Sequence, residues 1–210
     1  MTLSEEAQKK ILELEAQVNH LKDQLAIAEK NAAIDALTGV FNRRVLEKEL
    51  RTNLADADRN YFDLVIVEID LDHFKEVNDT WGHLHGDKVL RDFTEIIQAT
   101  LRDTDIFGRW GGEEFLLVLP VLRGTPLDQI EDFIKRLHLN TSKINRSDNP
   151  HREPEPLTIS SGAIIVEAGH NKIDYQQVLR QVDAALYESK KSRDTHTIKF
   201  YQEGYLESPQ

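Results

Sequence analysis

The stretch Arg109-Trp110-Gly111-Gly112-Glu113-Glu114-Phe115 decides how this chain folds. Two glycines stand between the strand start Ile106-Phe107 and the apolar run Phe115-Leu116-Leu117-Val118-Leu119. They predict the tight turn of a β-hairpin, where positive φ carries no Cβ penalty. The tip then carries two adjacent carboxylates, Glu113 and Glu114. Because side chains alternate along a strand, the two are expected on opposite faces, so that at most one joins a carboxylate arriving from elsewhere. Upstream, Leu64-Val65-Ile66-Val67-Glu68-Ile69 reads as a buried strand that ends in Asp70-Leu71-Asp72. Carboxylates at a strand end facing a hairpin tip suit a hard divalent cation, which takes oxygen ligands.

Outward from the hairpin, periodicity sets the remaining elements. Over residues 4–32 the apolar positions step by three and four, with Ile11, Val18 and Leu25 at a and Leu14 and Leu21 at d. That seam predicts a parallel dimeric coiled coil; the alternative is an amphipathic helix packed on its own domain. Asp35-Ala36-Leu37-Thr38-Gly39 is expected to end this helix, and Asn42 to cap the next one, which holds Val45, Leu46 and Leu50. Helices are predicted over 72–81 and 87–101, separated by the break Gly82-His83-Leu84-His85-Gly86. Pro126 opens a further helix, a polar loop spans 140–156, and strand, helix and strand follow over 157–166, 175–191 and 198–201. This order predicts an α+β sandwich, βααββαβ-like, with helices covering one sheet. The expected domains are a coiled-coil dimerisation helix over 1–34, a globular domain over 35–204 and a tail over 205–210.

Composition bounds the partners. The 210 residues, 40% hydrophobic, suit one globular domain plus an appendage. With 26 Lys+Arg against 37 Asp+Glu, the net charge of −11 disfavours nucleic acid and anionic membrane as partners. A polyanionic nucleotide must then be met by local cations or metal. The absence of cysteine excludes disulfides, thiolate zinc sites and thiol nucleophiles. The first residues are neither basic nor apolar, and no run approaches the ~18 apolar residues of a membrane span, so the expected location is cytoplasmic.

At this point the chain resembles a known family, the GGDEF diguanylate cyclases, in the GGEEF form carried by Gly111-Gly112-Glu113-Glu114-Phe115. Four further blocks match in order: residues 35–44 (DALTGVFNRR), residues 70–75 (DLDHFK), Asn78-Asp79 with Gly82-His83 and Gly86-Asp87, and Asp183-Ala184-Ala185-Leu186-Tyr187. The resemblance implies condensation of two GTP into cyclic di-GMP with release of two pyrophosphates. It also implies a homodimer, because each domain of the family holds one GTP. Because the chain begins inside the seam, an upstream sensor acting through the coiled coil is expected.

The implied chemistry assigns residues. Asp70 and Glu113, with the Leu71 carbonyl implied by the resemblance, are the expected magnesium ligands, manganese being a possible substitute. Glu114 has two open roles, second ligand or proton acceptor, and either Glu113 or Glu114 takes the proton. Lys75 is expected to neutralise triphosphate charge. By resemblance Asn78 and Asp87 recognise guanine; a carboxylate accepts from the N1–H and exocyclic amine, and adenine has no N1–H. His83 has a pocket role and a structural role equally open. Lys190 aligns with the family's phosphate-binding lysine. Arg193 arrives one residue early in a block that lacks its usual glycine, which leaves its phosphate role open. Arg102 and Asp105 match the family's inhibitory product site, with Arg109 available to assist.

Three rivals are a receptor that binds product without turnover, a coiled-coil scaffold, and a cyclase for mixed or adenine dinucleotides. The intact hairpin opposes the first, the carboxylates with Lys75 and Asp87 the second, and Asp87 alone the third.

Overall fold

The computed structural model describes residues 5–31, 33–149, 153–169, 174–192 and 197–202. The chain divides into two compact units, Met1–Ala33 and Ile34–Gln210.

The first unit is helix α1 (Glu5–Asn31), a stretch free of glycine and proline. Its seam residues Ile11, Leu14, Val18, Leu21 and Leu25 are all between 41% and 61% exposed. An exposed apolar seam of this spacing is what a dimerising helix presents. The helix ends at Asn31, ahead of the expected stop at Gly39. Gly39, at φ 72°, instead closes a turn by donating its N–H to the Asp35 carbonyl, and the Asp35 carboxylate accepts from both the Thr38 N–H and hydroxyl.

The second unit runs β1 (Phe41–Asn42), α2 (Arg43–Asn60), β2 (Phe62–Leu71), α3 (Phe74–Trp81), α4 (His83–Gln98), β3 (Ile106–Gly111), β4 (Glu114–Leu122), α5 (Leu127–Thr141), β5 (Ile159–Val166), α6 (Tyr175–Lys190) and β6 (Ile198–Phe200). The strands form one sheet in the order β1-β3-β4-β2-β5-β6. β2 pairs antiparallel with β4 and β5, which puts it at the centre. From β2 to β5 the order is the expected βααββαβ. β1 was not expected, because two residues carry no periodicity; Asn42 within it caps α2 as predicted, its side chain accepting from the Val45 N–H.

Alternation along β2 feeds two cores. Val65, Val67, Ile69 and Leu71 join the cluster built with Phe93 of α4 and Ile134 of α5, while Leu64 and Ile66 join Leu46 and Leu50 of α2 and Val178 and Val182 of α6. Both faces are therefore covered. Helix α6 comes unusually close to the sheet at Gly162, where a Cβ would lie 2.2 Å from the Leu186 nitrogen and 2.4 Å from the Val182 carbonyl oxygen. This contact sets the C-terminal half of α6 close against β5.

Helix α4 starts at His83 rather than Asp87. Gly82, at φ 81°, makes the break by itself, and Gly86 stays helical because it packs on α3. Asp87 is thus beyond the first turn, which contains no acidic residue. A role as partner of the helix dipole does not fit this position.

Candidate active site

The register of β2 against β4 sets Asp70 opposite Glu114, and its register against β5 sets Asp70 opposite Ser160. Glu68 and Asp70 share the face of Leu64 and Ile66, toward α6. Helix α6 ends at Lys190, whose Nζ lies 2.8 Å from Asp70 Oδ2 and 3.9 Å from Glu114 Oε1. Burial pushes the Asp70 carboxyl up to about 6; Lys190 opposes this, and Glu113 and Glu114 add to it. Glu68, 5% exposed, is pushed up to about 8 by burial first, then by Asp183 and Glu114. The cluster holds more negative charge than one lysine balances.

The hairpin corrects the alternation argument. Gly112, at φ 53°, and Glu113 form the turn between β3 and β4, with the register shifting between Arg109 and Gly111. Glu113 therefore lies outside the strand, and alternation does not send it away from Asp70: both glutamates act on the Asp70 carboxyl. The Glu113 carbonyl also accepts from the Leu71 N–H at 3.3 Å, which ties the turn to the end of β2. Asp72 takes another course, its Oδ1 accepting from the Ser160 hydroxyl at 2.7 Å.

Arg109, expected beside the product site, is engaged elsewhere. Its Nε donates to the Gly112 carbonyl at 2.8 Å and its other guanidinium nitrogen to the Asp35 carboxylate at 3.3 Å. Burial by itself would raise the Asp35 carboxyl, but the Thr38 hydrogen bonds and then Arg109 outweigh it and hold the group below its usual range. Arg109 thus staples the turn of residues 35–39 to the hairpin.

Two residues after Leu71 the chain enters α3 through His73, which adopts the left-handed conformation at φ 58°. A non-glycine residue there is strained and marks a segment held by its surroundings. Lys75 stands exposed in the first turn of α3. One turn later comes Asn78, and an added Cβ on Gly86 would sit 2.0 Å from its Oδ1. The missing side chain lets Asn78 rest on α4 beside the half-buried Asp87. His83 is exposed at the start of α4.

Arg102 and Asp105 lie in the turn between α4 and β3. They are joined not as an ion pair but by the Arg102 N–H donating to Asp105 Oδ2 at 2.9 Å, and both line a cavity of about 240 Å³ with Val40 and Phe107. A larger cleft of about 660 Å³ begins at the same two residues and runs to Phe133 and Arg136. Arg109 lines neither. Arg193 lies outside the described residues.

Sequence reasoning missed Glu68 and Asp183 as parts of the carboxylate cluster. The signal for Glu68 was present, a carboxylate interrupting an apolar strand at the same parity as Asp70; Asp183 needed the packing of α6.

Residues 32–196 match the family model described as diguanylate cyclase, GGDEF domain. The chain belongs to the GGDEF family of diguanylate cyclases. Its curated relatives include the probable diguanylate cyclase DgcC of Escherichia coli, 36% identical over 165 residues that cover 78% of this chain and 42% of the relative. The chain spans about two-fifths of the length of such relatives. Among solved structures, the coiled coil and GGDEF domain of DgcB from Caulobacter crescentus in complex with c-di-GMP aligns with TM-score 0.70 and 26% identity, covering 92% of this chain and 98% of that one. The active GGEEF domain of a diguanylate cyclase from Vibrio cholerae aligns with TM-score 0.65 and 29% identity, covering 78% and 98%.

Proposed function

We propose that this chain condenses two GTP into cyclic di-GMP and two pyrophosphates, each of two facing protomers presenting one GTP. The observation that carries the reading is the convergence of Asp70, Glu113, Glu114 and Lys190 at the end of β2, in a chain of this family. The 3′-oxygen of each nucleotide forms a bond to the α-phosphorus of the other, the bond from that phosphorus to the bridging oxygen breaks, and pyrophosphate leaves. Glu113 or Glu114 takes the hydroxyl proton. Lys190 and Lys75 meet the charge on the triphosphate.

The donor set fits magnesium. Among the described residues no three His, Cys, Asp or Glu side chains form a ready cage, and magnesium characteristically takes one or two carboxylates and completes its shell with phosphates and water. Asp70, Glu113 and the Leu71 carbonyl would hold it, and it would supply charge neutralisation between the phosphates when bound. Burial first, with Glu113 and Glu114 adding to it, raises the Asp70 carboxyl, and a divalent cation bound there would favour its charged form.

Guanine recognition by Asn78 and Asp87, with His83 at the pocket edge and Arg193 as a further phosphate ligand, belongs to the same reading. So do product feedback at Arg102 and Asp105, dimerisation through the α1 seam and control by an upstream sensor. The proposed compartment is the cytosol, where GTP is supplied. Among the described residues no helix is long and apolar enough to cross a membrane. The test is product analysis after incubation with GTP and magnesium. Cyclic di-GMP with two pyrophosphates per product supports the reading; product binding without turnover favours the receptor alternative.

A further inference from the structure

His85 is 8% exposed and stands in α4 immediately before Gly86 and Asp87. Its Nε2 lies 3.0 Å from the Arg146 main-chain carbonyl, and its Nδ1 lies 3.5 Å from Asp148 Oδ1. Both partners belong to the segment between α5 and β5. That segment is itself braced: the Arg146 N–H donates to the Glu155 carbonyl at 2.8 Å, and Asn145 bridges to Pro156.

The start of α4 needs such a brace. It has no side-chain cap, and it springs from Gly82 in a conformation outside the helix. On one side Gly86 presses on Asn78, and on the other His85 reaches Arg146 and Asp148. The two contacts flank the residues that would read the base.

The chemistry of the imidazole adds a condition. A neutral ring has one N–H. If that proton serves the Arg146 carbonyl, the lone pair of Nδ1 faces the Asp148 carboxylate. The charged groups around the ring are Lys88, Asp92 and Glu95 from α4 and Lys143 and Asp148 from the facing segment. Lys88 is paired with Asp92 at 2.6 Å and Arg146 with Glu155 at 3.4 Å.

We propose that His85 is a positioning residue for base recognition: through its hydrogen bond to the Arg146 carbonyl it holds Asn78 and Asp87 at the spacing guanine requires. The proposal rests on the reading that Asn78 and Asp87 recognise guanine.

The test uses the full chain with magnesium and 3′-deoxyguanosine triphosphate, which lacks the attacking hydroxyl and so reports binding without turnover. His85→Phe is expected to weaken binding roughly five-fold, the scale of one hydrogen bond's net contribution. His85→Gln, whose amide can donate to the Arg146 carbonyl, is expected to recover most of that. Unchanged affinity in His85→Phe overturns the proposal, as does a loss shared equally by both variants. Asp87→Ala separates the two levels. If it weakens binding and His85→Phe does not, only the His85 proposal fails; if it leaves affinity and guanine preference unaltered, the guanine reading fails and the His85 proposal falls with it.

Discussion

The Lys190 ammonium stands 2.8 Å from Asp70 Oδ2 at the centre of a carboxylate cluster, although α6 carries it there from the far end of the domain. Lys190 is the cation that opposes the rise of the Asp70 carboxyl. Its loss therefore pushes Asp70 further toward its neutral form and, on the proposed reading, removes charge directed at the triphosphate. Lys190→Ala is expected to lower kcat/KM for GTP roughly 10²-fold while leaving the far-ultraviolet spectrum unchanged. An activity within two-fold of wild type would place Lys190 outside the chemistry.

The position of Lys190 depends on Gly162. A Cβ there would enter the backbone of α6 at Val182 and Leu186, which are not the tips of flexible side chains. Gly162→Ala is expected to cost about 1–3 kcal/mol of stability, the usual range for overpacking, and to lower activity beyond what the loss of folded protein explains. Thermal unfolding paired with activity below the transition measures both.

Much of this was legible in the sequence, because the hairpin, the central strand and the amphipathic helices each follow from a local pattern. Asn42 capping α2 and the buried run of β2 are examples. Three features were not. Glu113 escaped the alternation rule because it sits in the turn rather than the strand, and turn geometry is set by the register shift after Arg109. Arg109 was assigned to the product site by its neighbourhood in sequence, whereas its partner Asp35 lies far away in the chain. The contact of His85 with the segment around Arg146 joins elements with no shared pattern. Such pairings appear only when the sheet is assembled.

Glu68 makes stability depend on pH. Its folded carboxyl is raised to about 8 from 4.5, so the folded state binds the proton more tightly than the unfolded state. That contribution is fully present below pH 4.5 and is lost as pH rises toward about 8. Asp70 acts in the same sense, between 3.8 and about 6. In the presence of chelator, Glu68→Gln is expected to flatten the decline seen in wild type and to be the more stable protein at pH 8. Urea unfolding across a pH series would reveal this, and parallel curves for the two proteins would refute it.

On the proposed reading Asp87→Ala removes the partner of the guanine N1–H and is expected to erode the preference for GTP over ATP. A site built on such hydrogen bonds discriminates strongly. Competition between the two nucleotides for the purified protein gives the ratio, which should fall at least ten-fold.

The seam of α1 predicts assembly. Val18 and Leu21 are 47% and 61% exposed in the single chain, and replacing Val18 with Asp would place a charge at an a position. Sedimentation is expected to show a dimer for wild type and a monomer for Val18→Asp.

The central claim is that two protomers each supply a GTP to one reaction. Initial rates of cyclic di-GMP formation, taken over a wide range of protein concentration beside Glu113→Gln, test it most directly. The account predicts a wild-type rate that rises faster than linearly with protein and no product from the variant. A rate strictly proportional to protein down to concentrations where sedimentation finds monomers, or full activity in Glu113→Gln, would contradict it.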